Sequence, residues 1–313
     1  MSINLEGRVA IVTGAGQGLG RAHAHALAAM GAKILVNDLG PDGGASPAAE
    51  TVAREIREAG GAAVANGANV ADWEQVQDMA RQAMEEWGRI DILVANAGIL
   101  RDKSFVKMEM SDFRAVIDVH LMGTAYCCKA VWEIMRSQSF GRIILTSSSS
   151  GLYGNFGQSN YGAAKMAMVG LMNTLHLEGA KYDVRVNCLA PVAGTAMTKG
   201  LMPDAVFDLL TPEAVSPAVV FLASEQAPSR AVLAAGGGSF AVFKGFETEG
   251  LSLAPDHVDA DGVAEAWERL NETEGMRELQ HGPQQTEKFV RQAAEKLGID
   301  LSGRSAWESP GSG

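Results

Sequence analysis

Arg8-Val9-Ala10-Ile11-Val12-Thr13-Gly14-Ala15-Gly16-Gln17-Gly18-Leu19-Gly20 is the stretch that decides the fold. Its first half is a short apolar run rich in β-branched residues, the pattern of a strand buried on both faces of a parallel sheet. Its second half is a glycine-rich turn, and a helical pattern follows to Met30. Gly14, Gly18 and Gly20 fit the spacing TGxxxGxG, whereas GxGxxG is absent. Glycines at such a turn let the backbone approach a pyrophosphate placed at the N-terminus of the next helix. Taken alone, the same residues also read as a turn that only joins strand to helix.

Outward from this turn, apolar runs at 33–38, 62–66, 90–95, 142–146 and 184–189 continue the series of strands, with a last one expected at 231–235. Helical patterns separate them, notably over 72–87, 112–135 and 161–181. Strand–helix alternation predicts an α/β fold, a doubly wound parallel sheet of Rossmann type flanked by helices. The character changes after about Phe246, where 256–271 and 284–296 read as amphipathic, charged helices. The expected organisation is a nucleotide-binding domain over 1–245 that includes a substrate loop. A C-terminal helical extension over 246–301 and a flexible tail over 302–313, rich in Ser, Gly and Pro, complete it.

Composition narrows the function. The chain has 313 residues, 47% of them hydrophobic, enough for a sizeable core. A net charge of −11 argues against a nucleic-acid partner, which needs a basic field. No apolar run reaches the length of a membrane span. Residues 1–8 lack the pattern of a secretory signal, and Gly311-Ser312-Gly313 is no peroxisomal address, so a cytoplasmic location is expected. Cys127, Cys128 and Cys188 lie in apolar runs without metal-ligand spacing and read as buried, reduced thiols, so no metal is expected.

Asp38 ends the second strand, 18 residues after Gly20. An acid there accepts hydrogen bonds from an adenosine ribose and repels a 2′-phosphate, and its neighbour Asn37 carries no positive charge, so NAD is expected over NADP. The alternative is an acid that caps the turn before Gly40.

Four features in a fixed order then carry a family likeness. They are Thr13 to Gly20, Asn96-Ala97-Gly98 after the fourth strand, Ser148 thirteen residues before Tyr161, and Tyr161-Gly-Ala-Ala-Lys165. Over about residues 5–245 the chain resembles the short-chain dehydrogenases/reductases. A narrower likeness lies in Asn37-Asp38-Leu39-Gly40, Gly98 to Phe105, Tyr153 to Gln158 and Ala190 to Gly194. These strings resemble the dehydrogenase unit of the peroxisomal multifunctional enzyme, a group that oxidises (3R)-hydroxyacyl-CoA thioesters and 17β-hydroxysteroids. The hydratase and sterol-carrier portions of that protein are not found, so a stand-alone relative is expected.

The resemblance implies an NAD-dependent oxidoreductase that interconverts a secondary alcohol and a ketone. It implies cofactor contacts at Gly14, Gln17, Gly18, Leu19, Asp38, Asn69, Val70, Asn96, Ala97, Gly98, Tyr161, Lys165, Pro191, Ala193, Gly194 and Thr195. It implies catalysis by Ser148, Tyr161 and Lys165, with His120 behind them. Tyr161 and Lys165 share one helix face. A free tyrosine has a pKa of about 10, and a nearby ammonium is expected to lower it. Ser148 is expected to hold the substrate oxygen. His120 departs from the asparagine of much of the family, although the narrower group shares the histidine. Its ring either anchors a proton-relay water or only supports the helix. Asn69 replaces an aspartate near the adenine, with its amide expected to pair with the base edge. Val192 replaces the glycine of a Pro-Gly turn.

On the substrate side, Tyr153, Phe156, Met197, Leu201 and Met202 are expected to line an apolar pocket for a steroid or an acyl chain. Arg101, Lys103 and Lys107 are candidates for a basic rim facing a CoA phosphate, or simply for a solvated surface. The family also implies a homodimer or homotetramer built through the helices over 112–135 and 161–181.

Overall fold

In the computed structural model, residues 3–41, 44–194 and 203–301 are described. The expectations at Thr195, Met197, Leu201, Met202 and the tail over 302–313 lie outside them. The chain divides into two compact units, 1–243 and 244–313.

The first unit opens with β1 (Val9–Val12), α1 (Gly18–Ala29), β2 (Lys33–Asn37), α2 (Pro47–Glu58), β3 (Ala63–Asn66), α3 (Trp73–Trp87) and β4 (Ile92–Ala95). It continues through α4 (Met110–Ile117), α5 (Gly123–Gln138), β5 (Gly141–Thr146), α6 (Ser149–Tyr153), α7 (Ser159–Gly179) and β6 (Val184–Pro191). It closes with α8 (Asp204–Phe207), α9 (Ser216–Ala223), β7 (Val232–Gly236) and β8 (Ser239–Phe243). The strands form one sheet in the order β3-β2-β1-β4-β5-β6-β7-β8, parallel throughout except for β8 against β7.

Every residue of β1, β4 and β5 is buried, because helices cover both faces. One core packs α3, α5 and α7 against the sheet through residues such as Ile11, Met79, Val131 and Met168. The other packs α1, α2 and α9 through Val12, Leu27, Ile56 and Leu222. Strand order reverses at β1, between β2 and β4, which opens a crevice at the C-terminal ends of these strands. The opposite end of the sheet is stapled. Asp91, fully buried, accepts from Val9 N at 3.0 Å, Arg89 Nε at 2.7 Å and Arg8 Nη1 at 3.1 Å.

Three expectations change. The helix over 112–135 is α4 and α5 joined by a π-helical turn, Asp118–Met122, with His120 inside it. One extra residue in such a turn displaces the side chains after it, and hydropathy does not reveal that. The helix over 161–181 begins at Ser159 and ends at Gly179. The strand at 231–235 is followed by a second, β8, whose residues are mostly exposed although Phe240 to Phe243 are apolar.

The second unit holds α10 (Ala260–Leu270) and α11 (Gly282–Leu297). Asp259 caps α10 by accepting from Gly262 N at 2.7 Å. Lys288 of α11 is buried against Glu247 and the Thr248 carbonyl, which hold its ammonium.

Candidate active site

Thr13, Asp38 and Asn96 stand just past the ends of β1, β2 and β4 and together shape the crevice. Asn96 Nδ2 donates to the carbonyls of Thr13 and Gly14, at 2.9 and 3.1 Å, and pins the glycine turn from below. Thr13 Oγ1 accepts from Asn96 N and Ala97 N at 3.0 and 3.1 Å. A Cβ on Gly14 would lie 2.8 Å from Ala97 Cα, and Gly14 has a φ of +62°. A Cβ on Gly20 would lie 2.2 Å from the Gly14 carbonyl. Gln17 precedes α1 without capping it through its side chain, so the first N–H groups of this helix are left for an anion. Gly14, Gln17, Gly18 and Leu19 therefore form a cradle that a pyrophosphate fits.

Asp38 Oδ2 accepts from Gly16 N at 2.7 Å, and a Cβ on Gly16 would meet that oxygen. The acid thus belongs to the glycine turn and stands at the end of β2 beside the crevice. Asn37 does not face it. The Asn37 amide is buried and donates to Asn66 Oδ1 and the Ala68 carbonyl, at 2.8 and 3.0 Å. Asn69 Oδ1 accepts from Ala71 N at 3.0 Å, in the turn that leads to the Asp72 cap of α3. One lone pair of the Asn69 oxygen is used in this turn, and its amide N–H groups make no hydrogen bond among the described residues. Val70 is buried against Gly123 of α5.

Ser148, at the end of β5, caps the short helix α6 through Ser150 N at 3.2 Å. Its hydroxyl is near enough to Tyr161 to help hold that phenol's pKa down. Ser147 Oγ donates to the Lys165 carbonyl at 2.8 Å and ties β5 to α7. Gly151 of α6 lies so close to Lys165 that a Cβ there would come within 2.8 Å of its backbone. These contacts set Ser148, Tyr161 and Lys165 side by side.

Lys165 Nζ donates to the Thr146 carbonyl at 2.7 Å and lies 5.5 Å from the centre of the Tyr161 ring. Burial lowers its pKa to about 7. Burial raises that of Tyr161, the Ser148 hydroxyl pulls it back, and the charge of Asp102 raises it further. This corrects the expectation that the lysine drives the tyrosine down. Burial also lowers Lys165 to about 7, so above that pH it is increasingly neutral and favours the phenolate less.

His120 is buried, and its ring meets that of Tyr161 edge-on at 5.2 Å. Nε2 lies 2.8 Å from the Ile99 carbonyl and 3.1 Å from Ile99 N, so one tautomer donates and the other accepts. Nδ1 has no partner among the described residues. Burial and the Lys165 charge lower the pKa to about 3, which keeps the ring neutral.

Ala97 and Gly98 follow Asn96 along the crevice floor. Pro191 ends β6, and Ala193 and Gly194 are buried just beyond it, Gly194 against Phe207. Val192 N donates to the Ala235 carbonyl at 2.8 Å. Tyr153 and Phe156 do not line a closed pocket. They are 73% and 90% exposed and stand at the rim, where Tyr153 packs on Phe243. Of the three candidate cations for a basic rim, Arg101 and Lys103 both lie near Asp112, at 3.7 and 3.4 Å, and remain exposed.

Sequence reasoning missed Asn160. Fully buried, it accepts from Tyr161 N at 2.7 Å and donates to the Arg101 carbonyl at 3.1 Å. A polar residue directly before the tyrosine was the available signal.

Comparison with known proteins bears on this geometry. Residues 8–205 match the family profile described as short chain dehydrogenase. Over 278 residues the chain is 44% identical to a short-chain type dehydrogenase/reductase of Mycobacterium tuberculosis, covering 87% of this chain and 97% of that protein. Over 227 residues it is 50% identical to the peroxisomal multifunctional enzyme type 2 of Drosophila melanogaster, covering 71% of this chain but only 38% of that longer protein. A solved 7α-hydroxysteroid dehydrogenase, complexed with NADH and 7-oxo glycochenodeoxycholic acid, superposes with a TM-score of 0.68. It is 28% identical, and the match covers 75% of this chain and 95% of that one.

Proposed function

The chain belongs to the short-chain dehydrogenase family, an oxidoreductase acting on CH–OH groups, and we propose that it oxidises a (3R)-hydroxyacyl-CoA thioester or a 17β-hydroxysteroid with NAD. The observation that carries the reading is the placing of buried Lys165 5.5 Å from the Tyr161 ring, with Ser148 beside them where Ser147 ties β5 to α7.

A bound nicotinamide supplies the redox chemistry, taking hydride from the alcohol carbon or returning it. Gly14, Gly18, Asp38 and Asn96 to Gly98 would hold that cofactor, with Lys165 at its ribose. Ser148 orients the substrate oxygen. Tyr161 takes the alcohol proton in oxidation and gives it back in reduction. Lys165 and the neutral His120 keep the tyrosine in place. Asp38 supports NAD over NADP, since an acid repels a 2′-phosphate. The hydroxysteroid dehydrogenase with its bound NADH and the multifunctional relative support the cofactor and substrate classes.

The partner proposal is a second copy of this chain. Helix α7 leaves Ala163, Met166, Gly170 and Leu177 exposed, an apolar outer face on a helix already apolar within. No described helix is long and apolar enough to cross a membrane. The proposed compartment is the cytoplasm, supported by three buried, unpaired cysteines that suit reducing surroundings.

The test is NADH formation from NAD with (3R)- and (3S)-hydroxyacyl-CoA thioesters, estradiol, testosterone and simple secondary alcohols. Turnover confined to the simple alcohols overturns the substrate assignment.

A further inference from the structure

Asn160 is fully buried at the second position of α7, one residue before Tyr161. The two ends of its amide serve different parts of the chain. Oδ1 accepts from Tyr161 N at 2.7 Å, one of the first N–H groups of a helix that Gln158 does not cap through its side chain. Nδ2 donates to the Arg101 carbonyl at 3.1 Å, 59 positions back along the chain. Arg101 belongs to the rim loop over 99–103, which follows Gly98 of the crevice floor. The loop is tied to the approach to α7 twice more. Lys103 N donates to the Gly157 carbonyl at 2.9 Å, and Gln158 Nε2 donates to Asp102 Oδ2 at 2.6 Å.

The same loop reaches Tyr161 by a second route. His120 Nε2 lies 2.8 Å from the Ile99 carbonyl and 3.1 Å from Ile99 N, and the His120 ring meets the Tyr161 ring edge-on at 5.2 Å. The contacts close a circuit. It runs from the Tyr161 ring to His120, to Ile99, along the loop to Arg101, to Asn160 and back to the Tyr161 backbone. His120 thus holds the ring of the tyrosine and Asn160 holds its backbone, both against one short loop. An apolar side chain of the same size at 160 would fill the space but leave Tyr161 N and the Arg101 carbonyl without these partners.

Resting on the reading of Tyr161 as the proton carrier, we propose that Asn160 is a positioning residue for the reaction: it fixes the start of α7 to the rim loop and so sets where the Tyr161 hydroxyl stands. Fully buried, it acts through Tyr161 and not on the substrate. Proton transfer needs the two oxygens within hydrogen-bond reach, and a displacement of about 1 Å in the reacting groups costs on the order of 10²-fold in rate. The phenol stands at the far end of a long side chain one residue from the tie, so a small rotation of the first turn of α7 is magnified at the hydroxyl. Lys165 is held separately, by the Thr146 carbonyl at its ammonium and by Ser147 at its backbone. Loss of Asn160 therefore shifts the tyrosine relative to its lysine. The ties of the glycine turn, through Asn96 and Asp38, lie outside the circuit and stay in place.

The experiment measures kcat and KM for NAD-dependent oxidation of the N-acetylcysteamine thioester of (3R)-hydroxydecanoate, with protium and with deuterium on the alcohol carbon. It uses the full chain, Asn160→Ala and Asn160→Ser. Rates are counted per NADH-binding site, titrated by fluorescence, so that unfolded protein does not enter. Serine is the milder change: its hydroxyl can stand near Tyr161 N but is too short to reach the Arg101 carbonyl. In both variants kcat is expected to fall by a factor on the order of 10 to 10², with KM and the NADH Kd little changed. The deuterium isotope effect on kcat is expected to be at least that of the wild type, since chemistry is the step that slows. A packing role alone would lower the melting temperature and leave the rate per site as it was. Wild-type kcat in either variant, a loss confined to KM or to NADH binding, or a lower kcat with a smaller isotope effect overturns the proposal. Failure of the underlying dehydrogenase reading is distinguishable, because the wild type itself then forms no NADH from the thioester, from a hydroxysteroid or from a simple alcohol.

Discussion

His120 occupies the space that a side chain at Gly98 would need: a Cβ there would lie 2.3 Å from His120 Cε1. The same ring reaches Ile99 through Nε2, so crevice floor, rim loop and π-helical turn meet at one contact. Gly98→Ala must therefore push the ring off Ile99. The expected outcome is a loss of about 1–3 kcal/mol of stability, together with weaker NADH binding and slower turnover. Fluorescence titration with NADH and a thermal melt check it. Wild-type values in both would show that the contact is dispensable.

Asp38 accepts from Gly16 N in the glycine turn and is proposed to meet the adenosine ribose as well. Asp38→Ala is expected to narrow the preference for NAD over NADP and to weaken both, since Gly16 N loses its acceptor. Steady-state kinetics with each cofactor measure this. Unchanged discrimination would remove Asp38 from the ribose.

The buried bases make stability depend on pH in two windows. Burial lowers His23 and His120 from 6.5 to about 3. As the pH falls from 6.5 through 3, the unfolded chain binds protons that the folded chain refuses, so stability falls. Burial lowers Lys165 from 10.5 to about 7. Above pH 7 the folded chain holds less of that proton than the unfolded one, so this group's contribution rises with pH. As the pH nears 9 the buried thiols, raised from 9.0 by burial, act in the opposite sense, but they are common to wild type and Lys165→Met and cancel in the difference between the two. Between about pH 7 and pH 9 the melting temperature of wild type relative to Lys165→Met is expected to climb. A flat difference would mean that Lys165 stays charged in the folded chain.

Asp91 lies at the end of the sheet away from the crevice and accepts from Val9, Arg8 and Arg89. Asp91→Ala leaves a buried backbone N–H and two guanidinium groups without their acceptor. It is expected to cost about 3 kcal/mol in denaturant titration while leaving the ratio of NAD to NADP kinetics as it was. A shift in that ratio would show that the two ends of the sheet are coupled.

The strands and the catalytic order were legible because they rest on local patterns. Apolar runs such as 8–13 declare buried strands, and the spacings from Thr13 to Gly20 and from Ser148 to Lys165 are fixed along the chain. What stayed hidden depends on contacts between distant segments. Nothing near Asn160 announces that its amide reaches Arg101, and nothing in 112–135 announces the π-helical turn at His120. That Arg101 and Lys103 share Asp112 as an acidic neighbour is likewise not visible along the chain. The upward shift of Tyr161 is hidden for the same reason, since burial is a property of the assembled core.

The central claim is that the Tyr161 hydroxyl moves the alcohol proton while the rest of the crevice holds the cofactor. Tyr161→Phe removes that one oxygen and keeps the ring against His120. The direct measurement pairs NADH formation from NAD and a (3R)-hydroxyacyl thioester with NADH binding by fluorescence in the same preparation. The account predicts turnover reduced by at least a factor on the order of 10² with the NADH Kd little changed. Turnover near that of the wild type would contradict it.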